Sequence, residues 1–490
     1  MSQAEVFIRH REAPTGFQLK TQRELSERAD LTLSGAAEAT VEVRARTTLD
    51  GNSADYYRPD RNVWRVIFIL LVVNIFNFLD RMAFAVLLPS VKADLMLSDT
   101  QLGLLVGFAF SILYAVCGIP IARWADRGNR SRIITIALAI WSVMTALSGA
   151  AHNFWHLLLA RIGVGVGEAG CSPPAQSMIS DCAPLSQRPA MYAIYNFGLI
   201  AGTMLGMALG GWLDELIGWR WTFVVLGLPG LAFALVVRFK LREPARGRFD
   251  SVKDETTYSF GQTIRVLWHS RIYRILVLLL AVGGFVNFGL MQWWPSLYAR
   301  VFGLTLSAVG VYLGVAIGIG SGIGLLIGGL WANKAAQRDV ALPLKISAAA
   351  SLCALPTAIG SLFVPSVLGS MFLVGTTLLL MSIQSGPVIA ALYSAVTSGM
   401  RATAGSISIF FTSILGMGLG PFCVGLLSDT LTPSFGIDAL RYALLLPACL
   451  ILVLVATLYF AAREARSAFD ARGREGVMDA RRDRLGAVGS

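Results

Sequence analysis

From residue 63 onward the chain alternates long apolar runs with short polar turns. The runs cover 63–91, 99–122, 132–151, 154–180, 189–213 and 219–239, then 272–299, 307–331, 339–364, 368–394, 402–427 and 438–462. Each is close to the ~20 residues that cross ~30 Å of hydrocarbon as a helix. An open sheet would leave its backbone groups unsatisfied in lipid, so every run is predicted helical. The expected fold is an all-α membrane protein with twelve transmembrane helices in two six-helix halves, 63–239 and 272–462, joined by a cytoplasmic linker at 240–271. Segments 1–62 and 463–490 are polar and weakly patterned, and both are expected to be mostly disordered cytoplasmic tails.

Composition supports this reading. Of 490 residues, 55% are hydrophobic and 14% charged, against about 25% charged in a soluble domain. A net charge of +11 raises the question of nucleic acid, but the bases lie in alternate loops and in the tails, so no nucleic-acid partner is expected. Arg123, Arg127 and Arg130 follow span 2, and Arg188 follows span 4. The linker carries Arg242, Arg246, Arg248, Lys253, Arg265 and Arg271, and Lys334, Arg338 and Arg401 follow spans 8 and 10. The opposite loops offer only Lys92 and Arg300, with Arg220 and Arg441 at adjoining helix starts. The positive-inside rule therefore puts both termini in the cytoplasm of a multi-pass protein, with a bacterial inner membrane or its equivalent as the expected location.

The six cysteines have no metal-like spacing and are expected to be mostly buried thiols. The first residues lack the apolar core of a signal peptide. No G-x-x-x-x-G-K-[ST] loop is present, which disfavours a primary pump. The stretch G-V-G-V-G-E lies at mid-membrane depth with no preceding strand, unlike a dinucleotide site. No nucleophile–base arrangement occurs in the polar segments, so no enzyme, metal or cofactor is expected.

The two halves echo each other. One motif, R-P-A-M-Y-A-I-Y-N-F-G-L-I-A-G-T-M-L-G-M-A-L-G-G-W-L-D, opens at Arg188; its counterpart, R-A-T-A-G-S-I-S-I-F-F-T-S-I-L-G-M-G-L-G-P-F-C-V-G-L-L-S-D, opens at Arg401. Each runs from a basic residue through a glycine-rich helix to an outer aspartate. A-R-W-A-D-R-G-N-R-S-R at 122–132 has a weaker echo in G-L-W-A-N-K-A-A-Q-R at 329–338. Repeated halves suggest a transporter with its site between them.

Four charges lie deep in the spans: Asp80 and Arg81 in span 1, Arg161 and Glu168 in span 4. A charge at the centre of a membrane helix costs about 2.5–3.5 kcal/mol on insertion scales. Arg161 and Glu168 share a helix face, about 10 Å apart along the axis. Asp80 and Arg81 point ~100° apart, so they cannot face one partner squarely. A network that merely fixes span 1 against span 4 is the plainer alternative, but apolar packing does that better. The functional reading is a proton relay and head-group site. None of His10, His152, His156 or His269 reaches mid-membrane depth, which leaves Asp80 and Glu168 as proton carriers, Asp80 first. Arg81 either pairs with Glu168 or meets an anionic head group, and Arg161 completes the charge network.

Softer candidates for the cavity wall are Asn77, Tyr114, Tyr195, Asn196, Asn287, Gln292, Gln384, Phe410, Phe411 and Thr412. Together they describe an amphipathic pocket. Trp293 and Trp294 read as an interfacial aromatic belt. Cys171-Ser172-Pro173-Pro174 should kink span 4 past Glu168. Gly198, Gly202, Gly206 and Gly210 make a smooth stripe on span 5, suited to static packing or to sliding. The segment Y-S-F-G-Q-T-I-R-V-L-W at 258–268 has the spacing of an interfacial helix on the inner leaflet.

Over about residues 62–462 the chain resembles the major facilitator superfamily. N-F-L-D-R in span 1 and R-I-G-V-G-V-G-E-A in span 4 resemble its Spinster-like branch. The match departs from the family pattern at Ala122, where the loop signature usually has glycine, and at Gly128-Asn129. Span 5 also lacks the Gly-Pro of antiporters, while Gly420-Pro421 stands in span 11. The resemblance implies a proton-coupled secondary transporter working by alternating access; the chain is expected to act as a monomer among membrane lipids. It implies proton coupling at Asp80 and Glu168, and a substrate such as a lysophospholipid or phosphorylated sphingoid base. It also implies a cytoplasmic gate at Asp126, Arg127 and Arg130, with Asp181 as a partner for Arg127. Small organic anions or drugs are the alternative substrates, and a transport-inactive receptor is a further alternative.

Overall fold

The computed structural model describes residues 61–184, 187–246, 260–396 and 400–488. Residues 1–60 of the expected N-terminal tail and residues 247–259 of the linker, with Arg248 and Lys253, lie outside the described residues. Among those described there is no strand. The first half comprises α1 (Arg61–Leu95), α2 (Asp99–Arg127, bent at Gly107), α3 (Arg130–Ser148) and α4 (Phe154–Ala169 continued by Ser172–Cys182). It ends with α5 and α6, which form the run Arg188–Lys240 and part at Gly218, where φ is 76°. The second half comprises α7 (Arg271–Val301), α8 (Leu306–Ala336), α9 (Leu342–Phe363) and α10 (Val367–Ser394). It closes with α11 (401–435) and α12 (Ala439–Ala443 continued by Leu445–Val488).

Nine helices among the described residues are long and apolar enough to cross a membrane. Two of those runs hold two spans each, divided at Gly218 and at Gly436, both with positive φ. The two pieces of α4 are each too short to count alone. The whole accords with twelve spans.

Local chemistry sets several starts. Ser98 and Gln101 form a capping box at α2, and Asn129, Asn153, Ser270, Thr305 and Ser366 cap α3, α4, α7, α8 and α10 through their side-chain oxygens. The expected break in α4 falls at Gly170–Cys171, with proline in the first turn of the continuation. In α11, Thr412–Gly418 is a π-helical turn.

The cores reveal how the halves meet. We call the end bearing Arg61 and the exit of α12 the near end, and the opposite end the far end. At the far end one apolar core mixes both halves, with Phe84, Leu102 and Leu105 beside Trp293, Leu313 and Val424. Toward the near end each half keeps its own core, around Val73, Trp141 and Met178 in the first and around Tyr273, Leu344 and Leu458 in the second. The glycines agree. A Cβ on Gly103 would lie 2.7 Å from the Pro421 carbonyl oxygen of α11, whereas one on Gly118, farther toward the near end of α2, would meet nothing within 4 Å. The halves are joined at the far end and separate toward the near end.

Three expectations need correction, and one open alternative is decided. Trp293 and Trp294 are buried in the shared core, and the Trp293 indole N–H donates to the Pro421 carbonyl at 2.9 Å, so they are not an interfacial belt. The α5 glycine stripe packs on α1 of its own half; a Cβ on Gly198 would lie 2.9 Å from the Leu71 carbonyl oxygen. It is a static close approach and not a surface between halves. Cys353 and Cys449 are exposed, while Cys171 and Cys182 are buried. Finally, α12 continues to Val488; its Ala, Arg and Glu residues favour helix even without an apolar stripe.

Candidate transport site

The charged cluster forms where α1, α2, α3 and α4 converge. Small residues allow the approach: a Cβ on Gly165 would crowd the Phe110 carbonyl oxygen at 2.6 Å, and one on Gly167 would meet Trp141 Cβ at 2.8 Å. Glu168, fully buried, accepts from Arg81 Nε and Nη2 at 2.5 Å each through Oε2, and from Asn77 Nδ2 at 2.9 Å. Its Oε1 has no hydrogen-bond partner. Arg81 lies 4.4 Å from the centroid of Phe110, 5.1 Å from that of Tyr114 and 5.3 Å from that of Phe78. Such faces attract a guanidinium and exclude water from its ion pair.

Asp80, one residue earlier, turns away from that pair, as the ~100° step of a helix requires. Its Oδ2 accepts from Thr145 Oγ1 of α3 at 3.1 Å, and its Oδ1 is buried without a partner. Arg161 stacks over Phe84 at 4.4 Å and lies 5.4 Å from Phe110, so both guanidinium groups border the Phe110 ring. Arg161 Nε is likewise buried without a partner. Among the described residues the site therefore holds one ion pair, two carboxyl oxygens without a partner (Asp80 Oδ1 and Glu168 Oε1) and one guanidinium nitrogen without a partner (Arg161 Nε).

Of the cavity candidates, Asn77 and Tyr114 belong to this cluster. Tyr195 is buried; its backbone carbonyl accepts from Asn74 Nδ2 at 2.9 Å, and its hydroxyl has no partner. Asn196 and Asn287 are exposed, and Gln384 and Phe410 are half-buried. Thr412 begins the π turn and approaches Gly284 of α7. Phe411 contacts Trp268 of the short linker helix Phe260–His269, with centroids 6.1 Å apart. Gln292 is buried at the break in α7, beside the far-end tryptophans.

At the near end, Asp181 takes Arg130 and not Arg127. Arg130 Nη1 donates to Asp181 Oδ2 at 2.5 Å and to Ser177 Oγ at 2.8 Å, and its Nε donates to Glu243 Oε1 at 2.6 Å. The cause is position: Arg130 is the first residue of α3 and is buried between the ends of α4 and α6, while Arg127 and Asp126 are exposed. From beyond α6, Arg246 donates to the carbonyls of Asp126, Ala125 and Gly128, closing the C-terminus of α2. All these ties lie within the first half and the start of the linker. Arg130→Ala would leave two facing carboxylates without their cation, and a loss of about 3 kcal/mol is expected, read as a lower unfolding temperature in detergent.

The far end holds a cluster that sequence reasoning passed over. Asp99 Oδ1 accepts from Lys92 Nζ at 2.5 Å, and its Oδ2 accepts from Arg300 Nη1 at 2.8 Å and Ser428 Oγ at 2.6 Å. It joins α1 and α2 to α7 and α11. Lys92 and Arg300 were visible as the only bases in the outer loops, a signal that they have a local partner.

A transporter is the class this architecture defines: two joined halves, a buried charged site and a gap toward one end. The family model of the Major Facilitator Superfamily matches residues 70–421. An MFS-type efflux pump of Mycolicibacterium smegmatis is 32% identical over 405 residues, covering 82% of this chain and 92% of the pump. Protein spinster homolog 1 of Xenopus laevis is 30% identical over 240 residues, covering 48% of this chain and 45% of that protein. Among solved structures, a bacterial homolog of the human lysosomal transporter Spinster, inward-facing and unoccupied, aligns with a TM-score of 0.75 and 27% identity over 83% of this chain and 98% of that one. The chain belongs to the Major Facilitator Superfamily. It is a multi-pass membrane transporter with Spinster proteins among its relatives, and not an enzyme.

Proposed function

We propose that this protein is a proton-coupled secondary transporter of an amphipathic, lipid-like substrate, a lysophospholipid or a phosphorylated sphingoid base. It works as a monomer by alternating access, with its termini and near end in the cytoplasm. The observation that carries the proposal is the buried cluster itself. Asp80 has an unpartnered oxygen and no bonded cation, so it is the group suited to take up and release a proton. Glu168 is held by Arg81 and serves as the second coupling carboxylate. Arg161 has a nitrogen to spare for an anionic head group, and Phe84, Phe110 and Tyr114 offer aromatic surface beside it. The likeness to a Spinster homolog supports a lipid-like substrate.

The exposed Asp126 and Arg127 are free to engage the second half when the near end closes, with the Arg130–Asp181 pair holding their loop in place. The relative that is an efflux pump favours a second reading, export of small organic anions or drugs.

Purified protein in proteoliposomes, given labelled lysophospholipid or phosphorylated sphingoid base, should show uptake stimulated by an imposed proton gradient. Lipid flux absent under either condition would sink the lipid assignment and bring anions and drugs forward. Lipid flux indifferent to the gradient would remove proton coupling alone.

A further inference from the structure

We propose that Glu215 and Asp429 are paired positioning residues of the transport cycle, forming a two-fold-symmetric clasp that holds the far end shut. Each acid reaches from one half to the N-terminus of a helix in the other. Asp429 of α11 accepts from the backbone N–H groups of Asp99 and Thr100 at the start of α2, at 2.9 and 2.7 Å, and from Thr100 Oγ1 at 2.6 Å. Glu215 of α5 accepts from the backbone N–H of Ser307 at the start of α8, at 2.7 Å.

The surroundings repeat in the same register. One helical turn before each acid stands a glycine, Gly425 and Gly211, whose missing side chain admits the first residue of the capped helix, Asp99 and Leu306. Deeper in the seam, Gly103 meets the Pro421 backbone and Gly107 that of Gly418; in the other pair Gly310 meets the Met207 backbone and Gly314 that of Met204. Thr100, Gly103 and Gly107 of α2 thus correspond to Ser307, Gly310 and Gly314 of α8. Asp429 and Gly425 of α11 correspond to Glu215 and Gly211 of α5.

The two capped helices also share a division of labour. Ser98 and Thr305 cap their own helices by accepting from Gln101 N at 3.1 Å and Ala308 N at 3.4 Å. The earlier amides remain unsatisfied within a helix; those of Asp99 and Thr100 go to Asp429, and that of Ser307 goes to Glu215. A carboxylate there is favoured by the helix dipole as well as by the hydrogen bond. The Asp99 ion cluster has no such counterpart, because its equivalent in the second half is Leu306. Hence the caps and the glycine seam share the symmetry of the two halves while the ion cluster does not, and opening the far end must break both caps.

The proposal rests on the alternating-access reading. Its test is the distribution of distances between spin labels placed across the far end and across the near end. Glu215→Ala and Asp429→Ala should each raise the far-end-open population about five-fold, the effect of losing one cap, and the double variant should multiply the two effects. Asp429→Asn should restore the parental distribution, because an asparagine oxygen still accepts the amides. Asp214→Ala is the control: Asp214 accepts from Ser90 Oγ of its own half at 2.6 Å and should leave the distribution alone. Gly211→Val, which wedges the seam directly, separates the two failures. If it opens the far end while the double alanine variant does not, the clasp is overturned and alternating access stands. If the far end opens in none of the variants, both fall.

Discussion

Glu168→Gln is expected to destabilise the protein by about 3–5 kcal/mol and to abolish transport. The glutamine keeps the size of the side chain but removes the only anion among the described residues bonded to Arg81, which is buried and ringed by Phe78, Phe110 and Tyr114. A guanidinium left in that place must lose its pairing while staying out of water, and the penalty for breaking a buried pair is larger than the net contribution of forming it. Adding Arg81→Met to Glu168→Gln removes the stranded charge and should recover most of the lost unfolding temperature. Transport should not recover. A Glu168→Gln protein with parental stability would mean that Arg81 finds water or another anion, and the pair would then have no structural weight.

Asp80→Asn should have the opposite profile: near-parental stability with the gradient-driven part of transport gone. The asparagine is isosteric and can still accept from Thr145, so packing against α3 survives. It cannot take and release a proton. Substrate exchange measured without a gradient should therefore persist in proteoliposomes, while uptake driven by the gradient falls to the level seen without one. Gradient-driven uptake that survives intact would make Asp80 structural and leave Glu168 as the proton carrier. Taken together, the two variants separate a charge that holds the site from one that titrates in it.

Much of this molecule was legible from its residues because hydropathy acts locally. The apolar runs located the helices, Cys171 to Pro174 announced the break in α4, and the cost of charge in lipid singled out Asp80, Arg81, Arg161 and Glu168. The angular step between Asp80 and Arg81 also foretold their divergence, and pairing of Arg81 with Glu168 was one of two expected outcomes. Errors came where burial depends on what lies opposite. Trp293 and Trp294 sit at a depth where belts are normal, yet α7 meets both halves there and they are covered. Arg127 and Arg130 are equally basic, and only the crossing of α4 and α6 decides that Arg130 receives Asp181 and Glu243.

What the sequence by itself determined is the membrane class, the two-halved helical plan, the four charges inside apolar runs and the superfamily, since each follows from composition, period or a contiguous motif. Tertiary structure alone decided the partners: Thr145 for Asp80, Arg300 for Asp99, and the helix starts of the opposite half for Glu215 and Asp429. The physical reason is range. Transfer from water to lipid is a property of a run of neighbouring residues, whereas a hydrogen bond of less than about 3.2 Å between distant residues exists only once the helices carrying them have packed.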